Sequence, residues 1–174
     1  MSLDGKRIAI LAGPEYEDLE LHYPLLRLRE AGADVKVLAV KKDLVTGKHG
    51  LSVVPNLTFD EAKPTDYDAV IVPGGWAPDR IRRSESAVLF VKSLHDRGRL
   101  VAAICHGPQV LISAGILKGK KVTCVSAVKD DVINAGAEYL DREVIVDQNV
   151  ITSRFPADLP AFCREIINWL SQRK

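Results

Sequence analysis

Between Val101 and Leu111 the chain changes its period within two residues. Val101-Ala102-Ala103-Ile104 is an apolar run of small and β-branched residues that stops at Cys105-His106. After Gly107-Pro108, the apolar positions Val110, Leu111 and Ala114 suit a helix. The stretch therefore reads as a strand, an abrupt corner and a helix. A corner that sharp needs small residues on both sides, and Ala103 and Gly107 stand two before and two after Cys105, the arrangement of a nucleophile elbow. Two readings of Cys105 follow: a small buried hydrophobe, as free cysteines often are, or a reactive thiol. The elbow setting and the neighbouring His106 favour the second.

The rest of the chain repeats this alternation. Arg7 to Gly13 and Tyr67 to Pro73 are near-continuous apolar runs ending at Gly or Pro, as expected of buried parallel strands. Asp34 to Val40 reads as a second strand, and 46–57 as a hairpin or ornament at an edge. Further strands are expected over 121–125, 143–147 and 150–152. Helices are expected with Leu21, Leu25 and Leu28 on one face, from Ser84 to Gly98, over 128–135, and after Asp158 with Phe162, Ile166, Ile167 and Leu170 buried. Strands alternating with amphipathic helices predict a mostly parallel, doubly wound α/β sheet with helices on both faces. Ligands of such sheets bind beyond the carboxyl ends of the strands, where the winding reverses. Three loops leave strands at that edge: Glu15 to Asp18, Pro73 to Trp76, and Cys105 to Gly107.

With 174 residues, the default is one domain over 1–174. The net charge of +1 with interleaved signs excludes a nucleic-acid or headgroup footprint, and no apolar run approaches a membrane span. No secretory signal is evident, so a cytoplasmic location is expected. Cys105, Cys124 and Cys163 form no paired or zinc-type spacing and read as free thiols. No metal or cofactor is expected.

A thiol attacks only as thiolate, so Cys105 needs activation. The dipole of the following helix lowers a thiol pKa, and His106 can move protons to bound substrate, although it also suits a plain helix start. An elbow site holds an oxyanion by the N–H after the nucleophile and one from a neighbouring loop, here His106 and Gly75. Gly74-Gly75 equally suits a simple turn. Glu15 and Glu17 end the first strand, either as solvated partners of a helix dipole or as a carboxyl held protonated against a thiolate.

Five blocks carry a family resemblance: Gly13-Pro-Glu-Tyr-Glu-Asp-Leu-Glu-Leu, Val72-Pro-Gly-Gly-Trp-Ala-Pro-Asp-Arg80, Ala103-Ile-Cys-His-Gly-Pro-Gln-Val-Leu111, Asp130 to Glu138, and Thr152-Ser-Arg154. In this order they resemble the PfpI intracellular protease family of the class I glutamine amidotransferase-like superfamily. The resemblance spans nearly the whole chain. It implies a flavodoxin-like three-layer sandwich, Cys105 as nucleophile, His106 as its partner, and Glu17 as the carboxyl touching the thiol. It also implies that Asp79 of a neighbouring subunit completes a triad, in a homodimer or a trimer of dimers. Two features depart from the family pattern: Asp79 stands where Glu is common, and only Val125 and Ser126 lie where relatives often place an aromatic or polar residue.

The leading functional expectation is a cysteine-nucleophile enzyme that attacks a carbonyl. Its substrate is a peptide, or a small reactive carbonyl as for a glyoxalase or deglycase. Because a 2-oxoaldehyde expels nothing and tolerates a looser His106–Asp79 geometry, carbonyl turnover is expected to exceed peptide hydrolysis. The alternatives are a redox or stress sensor built on Cys105 and a chaperone-like oligomer.

Overall fold

Apolar runs without a polar face cannot leave either side to water, so they occupy the middle of a covered sheet. The computed structural model, which describes residues 2–173, shows this arrangement. In chain order, β1 (Arg7–Leu11) leads through α1 (Asp18–Glu30) to β2 (Asp34–Ala39). Then come the hairpin strands β3 (Val45–Thr46) and β4 (Ser52–Val53), a short β5 (Leu57–Thr58), and β6 (Ala69–Val72). Helices α2 (Ala77–Ile81) and α3 (Glu85–Asp96) precede β7 (Leu100–Ile104) and α4 (Pro108–Ser113). The chain closes with β8 (Lys121–Val122), α5 (Lys129–Asn134), β9 (Glu138–Tyr139), β10 (Val144–Asp147), β11 (Val150–Ser153) and α6 (Leu159–Ser171).

The main sheet has seven strands in the order β10-β11-β7-β6-β1-β2-β5. Every pairing is parallel except β10 with β11, whose tight connection turns at Gln148, φ 57°. Helices α1 and α6 pack together on one face, and α3 and α4, flanked by α2 and α5, on the other. The fold is therefore the expected mostly parallel, doubly wound sheet with helices on both faces. From β1 the chain first winds outward through β2 to β5, then returns to the other side of β1 at β6. That reversal places the ends of β1, β6 and β7 side by side, where a ligand crevice forms in such sheets.

Local differences from the sequence reading have physical reasons. The strand expected over 121–125 stops at Val122 because β8 pairs with β9 in a separate two-stranded sheet. The 46–57 stretch divides into the β3–β4 hairpin and the edge strand β5. Ser84 caps α3 as expected, its hydroxyl accepting from the Ala87 N–H at 3.3 Å. Asp158 precedes α6 but does not cap it with its side chain, because its carboxylate is engaged by Arg154 at 2.9 and 3.2 Å. Among the described residues, no helix is long and apolar enough to cross a membrane.

Candidate active site

At the end of β7 the chain reverses on Cys105, whose φ of +61° lies in the left-handed region. A side chain there costs on the order of 1–3 kcal/mol and persists only where the surroundings over-determine it. They do: the Cys105 N–H donates to Ser153 O at 3.1 Å, and its carbonyl accepts from the Val125 N–H at 3.2 Å. Two residues on, a β-carbon at Gly107 would lie 2.3 Å from Val72 O. Only glycine lets the chain pass β6 there. The corner is thus the elbow that the sequence pattern implied, and it lifts the Cys105 side chain off the sheet edge.

The carboxyl against the thiol comes from Glu20, not Glu17. Glu20 is fully buried in the first turn of α1, lies beside the Cys105 side chain across Gly74, and accepts from the Gly74 N–H at 2.7 Å through Oε2. Glu17 precedes the helix in extended backbone and so does not follow its buried face. Its Oε2 instead meets Lys48 Nζ and His49 Nε2, each at 3.5 Å. Glu20 was legible as an acid spaced by four from Pro24 and by eight from Leu28, both on the buried stripe of α1. The other acids of this stretch have duties of their own: Glu15 pairs with Arg80, and Asp18 receives a loop backbone.

Burial raises the Glu20 pKa to about 8, with negative charge on Glu17 adding to the rise; the Gly74 N–H, the Cys105 side chain and the Lys48 charge act the other way. Burial likewise pushes the Cys105 thiol up to about 12, and negative charge on Glu20 adds to it, while the N–H groups of Gly75 and His106 oppose it. The unusually acidic resting thiol expected from the helix dipole is therefore absent: burial outweighs what α4 and two amides supply. Near pH 7 both Cys105 and Glu20 are protonated, and keeping Glu20 protonated removes the charge that most opposes a thiolate after burial itself. Cys124 and Cys163 are pushed up to about 12 as well, each chiefly by burial. The three thiols differ in access instead, since Cys124 and Cys163 are buried and Cys105 is partly open.

His106 sits beside the sulfur, with Nδ1 3.3 Å from Sγ. Its pKa lies below the ordinary value, first through burial and then through the Lys48 charge, so the ring is neutral near pH 7 and able to accept a proton. Trp76, more than half exposed, packs tilted against the imidazole at 5.6 Å between ring centres.

The glycine pair is more than a turn. Gly75, φ +75°, bridges to Tyr16, and a β-carbon there would lie 2.4 Å from Glu17 N. The structure thus brings together Cys105, His106, Gly74 and Gly75. Asp79 stands apart, exposed on α2, and among the described residues no carboxylate hydrogen-bonds or ion-pairs with the His106 ring. The described residues contain no group of three or more His, Cys, Asp or Glu side chains placed to hold a metal.

Residues 6–169 match the DJ-1/PfpI family. The chain belongs to that family. Among DJ-1/PfpI relatives, it is 50% identical over 164 residues to "Deglycase PfpI" of Pyrococcus furiosus, covering 94% of this chain and 99% of that protein. It is 42% identical over 167 residues to "Putative cysteine protease YraA" of Bacillus subtilis, covering 95% and 99% respectively. Among solved structures, a two-domain protein of Anabaena variabilis with DJ-1/ThiJ/PfpI-like and ferritin-like domains superposes with a TM-score of 0.94 at 45% identity. That match covers 95% of this chain and 48% of the two-domain chain, so the chain corresponds to about half of that protein. Drosophila melanogaster DJ-1beta gives a TM-score of 0.90 at 28% identity, over 99% of this chain and 92% of its own.

Proposed function

We propose that this DJ-1/PfpI chain is a Cys105-nucleophile enzyme acting on reactive carbonyls, of glyoxalase or deglycase type, with peptide hydrolysis the slower activity. The observation that carries the reading is the Cys105–His106 pair, a protonated thiol 3.3 Å from a neutral imidazole, with Asp79 rather than the longer Glu as the acid a second copy would offer that ring. Expelling an amine from a peptide needs an oriented His–carboxylate pair, whereas an aldehyde is already electrophilic and expels nothing. The relatives named deglycase, in Pyrococcus furiosus and, at 44% identity, in Escherichia coli, support the same choice.

In the proposed sequence His106 takes the thiol proton as Sγ adds to the aldehyde carbon of a 2-oxoaldehyde, giving a hemithioacetal. The Gly75 and His106 N–H groups, which favour a charged sulfur, serve the oxygen charge that forms. His106 gives the thiol proton to the hemithioacetal oxygen, then, as a neutral base, moves the proton of that carbon to the adjacent carbon while the hydroxyl proton passes to the ketone oxygen, leaving an S-acyl enzyme of a 2-hydroxy acid. Water hydrolyses the acyl group, releasing a 2-hydroxy acid and restoring the thiol. A protonated Glu20 beside Sγ keeps negative charge away from the attacking sulfur.

Asp79 enters this proposal as the acid a second copy would bring to His106, which makes the working unit a homodimer or larger, and a cytoplasmic location belongs with it. The deciding experiment measures kcat/KM for methylglyoxal and for a chromogenic peptide, with Cys105→Ala and Asp79→Glu alongside. Methylglyoxal turnover should exceed peptide cleavage, Cys105→Ala should abolish both, and Asp79→Glu should raise peptide cleavage. Faster peptide cleavage in the wild type would overturn the reading.

A further inference from the structure

The turn of the β3–β4 hairpin is fastened to the site by buried polar groups. Asp18, 3% exposed, accepts from the N–H of His49 at 2.8 Å and of Leu51 at 2.6 Å. Tyr16, fully buried, donates its hydroxyl to Leu51 O at 2.9 Å, and the Lys48 N–H donates to Tyr16 O at 3.0 Å. A β-carbon at Gly47 would lie 2.5 Å from Asp18 Oδ2, so the carboxylate packs directly on the turn. Two-residue strands do not hold a hairpin in place by themselves. The buried acid and phenol do it here, and the side chains they position are Lys48 and His49.

Lys48 stands beside the Cys105–His106 site. Its Nζ lies 5.9 Å from the centre of the Trp76 ring, whose neighbour on the site side is the His106 ring. Its charge reaches both Glu20 and His106. The Glu17 contact at 3.5 Å is longer than a charge-assisted hydrogen bond, and Glu17 is shared with His49. An ammonium has three donors, so this loose pairing leaves Lys48 able to take another anion. The exposed apolar Trp76 ring lies against both Lys48 and the His106 ring that neighbours the nucleophile.

We infer that Lys48 determines substrate specificity by binding a carboxylate on the carbonyl compound or adduct whose reacting carbon is at Cys105, with the linking atoms along Trp76. This rests on the carbonyl reaction proposed above and names its substrate class: adducts of acidic or carboxylate-bearing small molecules rather than neutral ones.

The test compares the methylglyoxal hemithioacetals of N-acetylcysteine and of N-acetylcysteine amide, which differ by one charge. Wild type should prefer the carboxylate roughly tenfold in kcat/KM at low salt, the order expected of one partly screened charge pair, with the difference in KM. Lys48→Gln should bring the ratio to about one, Lys48→Arg should keep it, and Glu17→Gln should increase it by removing the competing acid. In parallel, Cys105→Ala with and without Lys48→Gln is titrated with the stable S-acetonyl thioethers of both thiols, reading tryptophan fluorescence, so that preference appears in Kd without turnover. No charge preference in the wild-type ratio and in Kd, or a preference that survives Lys48→Gln, overturns the inference. A preference in Kd without turnover of either hemithioacetal overturns the carbonyl reaction and leaves the role of Lys48 standing.

Discussion

A β-carbon at Gly74 would lie 2.6 Å from the Cβ of Cys105. It would also lie 2.6 Å from Glu20 Oε2, so the glycine is the space in which thiol and carboxyl meet. Gly74→Ala must displace one of them, and misplacing a reacting group by an ångström costs about a hundredfold in rate. The expected outcome is a drop of that order in kcat/KM for methylglyoxal, with about 1–3 kcal/mol lost from overpacking. Gly119→Ala is the control, since it meets the strain of φ +75° but no atom within 4 Å. It should lower stability with no comparable loss of rate. Equal rates for both variants would remove Gly74 from the site.

The pH dependence of the rate should be bell-shaped. Protonating His106 removes the base, and because its pKa is lowered the acid limb should fall below the ordinary histidine range. Ionising Glu20 places a negative charge beside Sγ, so the alkaline limb should centre near 8. Because kcat/KM reports the free enzyme, these are the groups it should follow. Glu20→Gln keeps the shape and removes the ionisation, so its profile should lose the alkaline limb while the acid limb stays. A profile for Glu20→Gln that still falls near 8 would assign that limb to another group.

The sheet was legible in the sequence because fully apolar runs such as Ala69–Val72 and Leu100–Ile104 have only one kind of place to go. The elbow was legible for the same reason: small residues around Cys105 predict a reversal whatever lies opposite. Which acid reaches the thiol was not, because Glu17 and Glu20 are both acids in the same turn of sequence. Only the helix start at Asp18, which puts Glu20 on the stripe with Pro24 and Leu28, separates them. The thiol pKa is not legible, because a dipole can be read from sequence and the depth of burial opposing it cannot. Lys48 gave no local signal at all. Its place depends on Asp18 and Tyr16 catching the backbone of a distant turn.

Glu20 should also leave a mark on folding. An unfolded chain releases its proton near 4.5 and the native protein near 8, so between those values the native state holds more protons than the unfolded one. Stability therefore falls as pH rises through that window. Below it, both states are protonated and the penalty vanishes; above it, both are ionised and the penalty is constant. For this one group the loss between about pH 5 and about pH 8 is on the order of 3–4 kcal/mol. Ion pairs elsewhere, such as Arg154 with Asp158, are common to the wild type and to Glu20→Gln and cancel in the comparison. Urea unfolding at the two pH values should show the wild type losing that much more stability than Glu20→Gln. The same loss in both proteins would mean that Glu20 is ionised in the native state at neutral pH, and that the carboxyl beside Cys105 faces the sulfur as an anion rather than as a neutral acid.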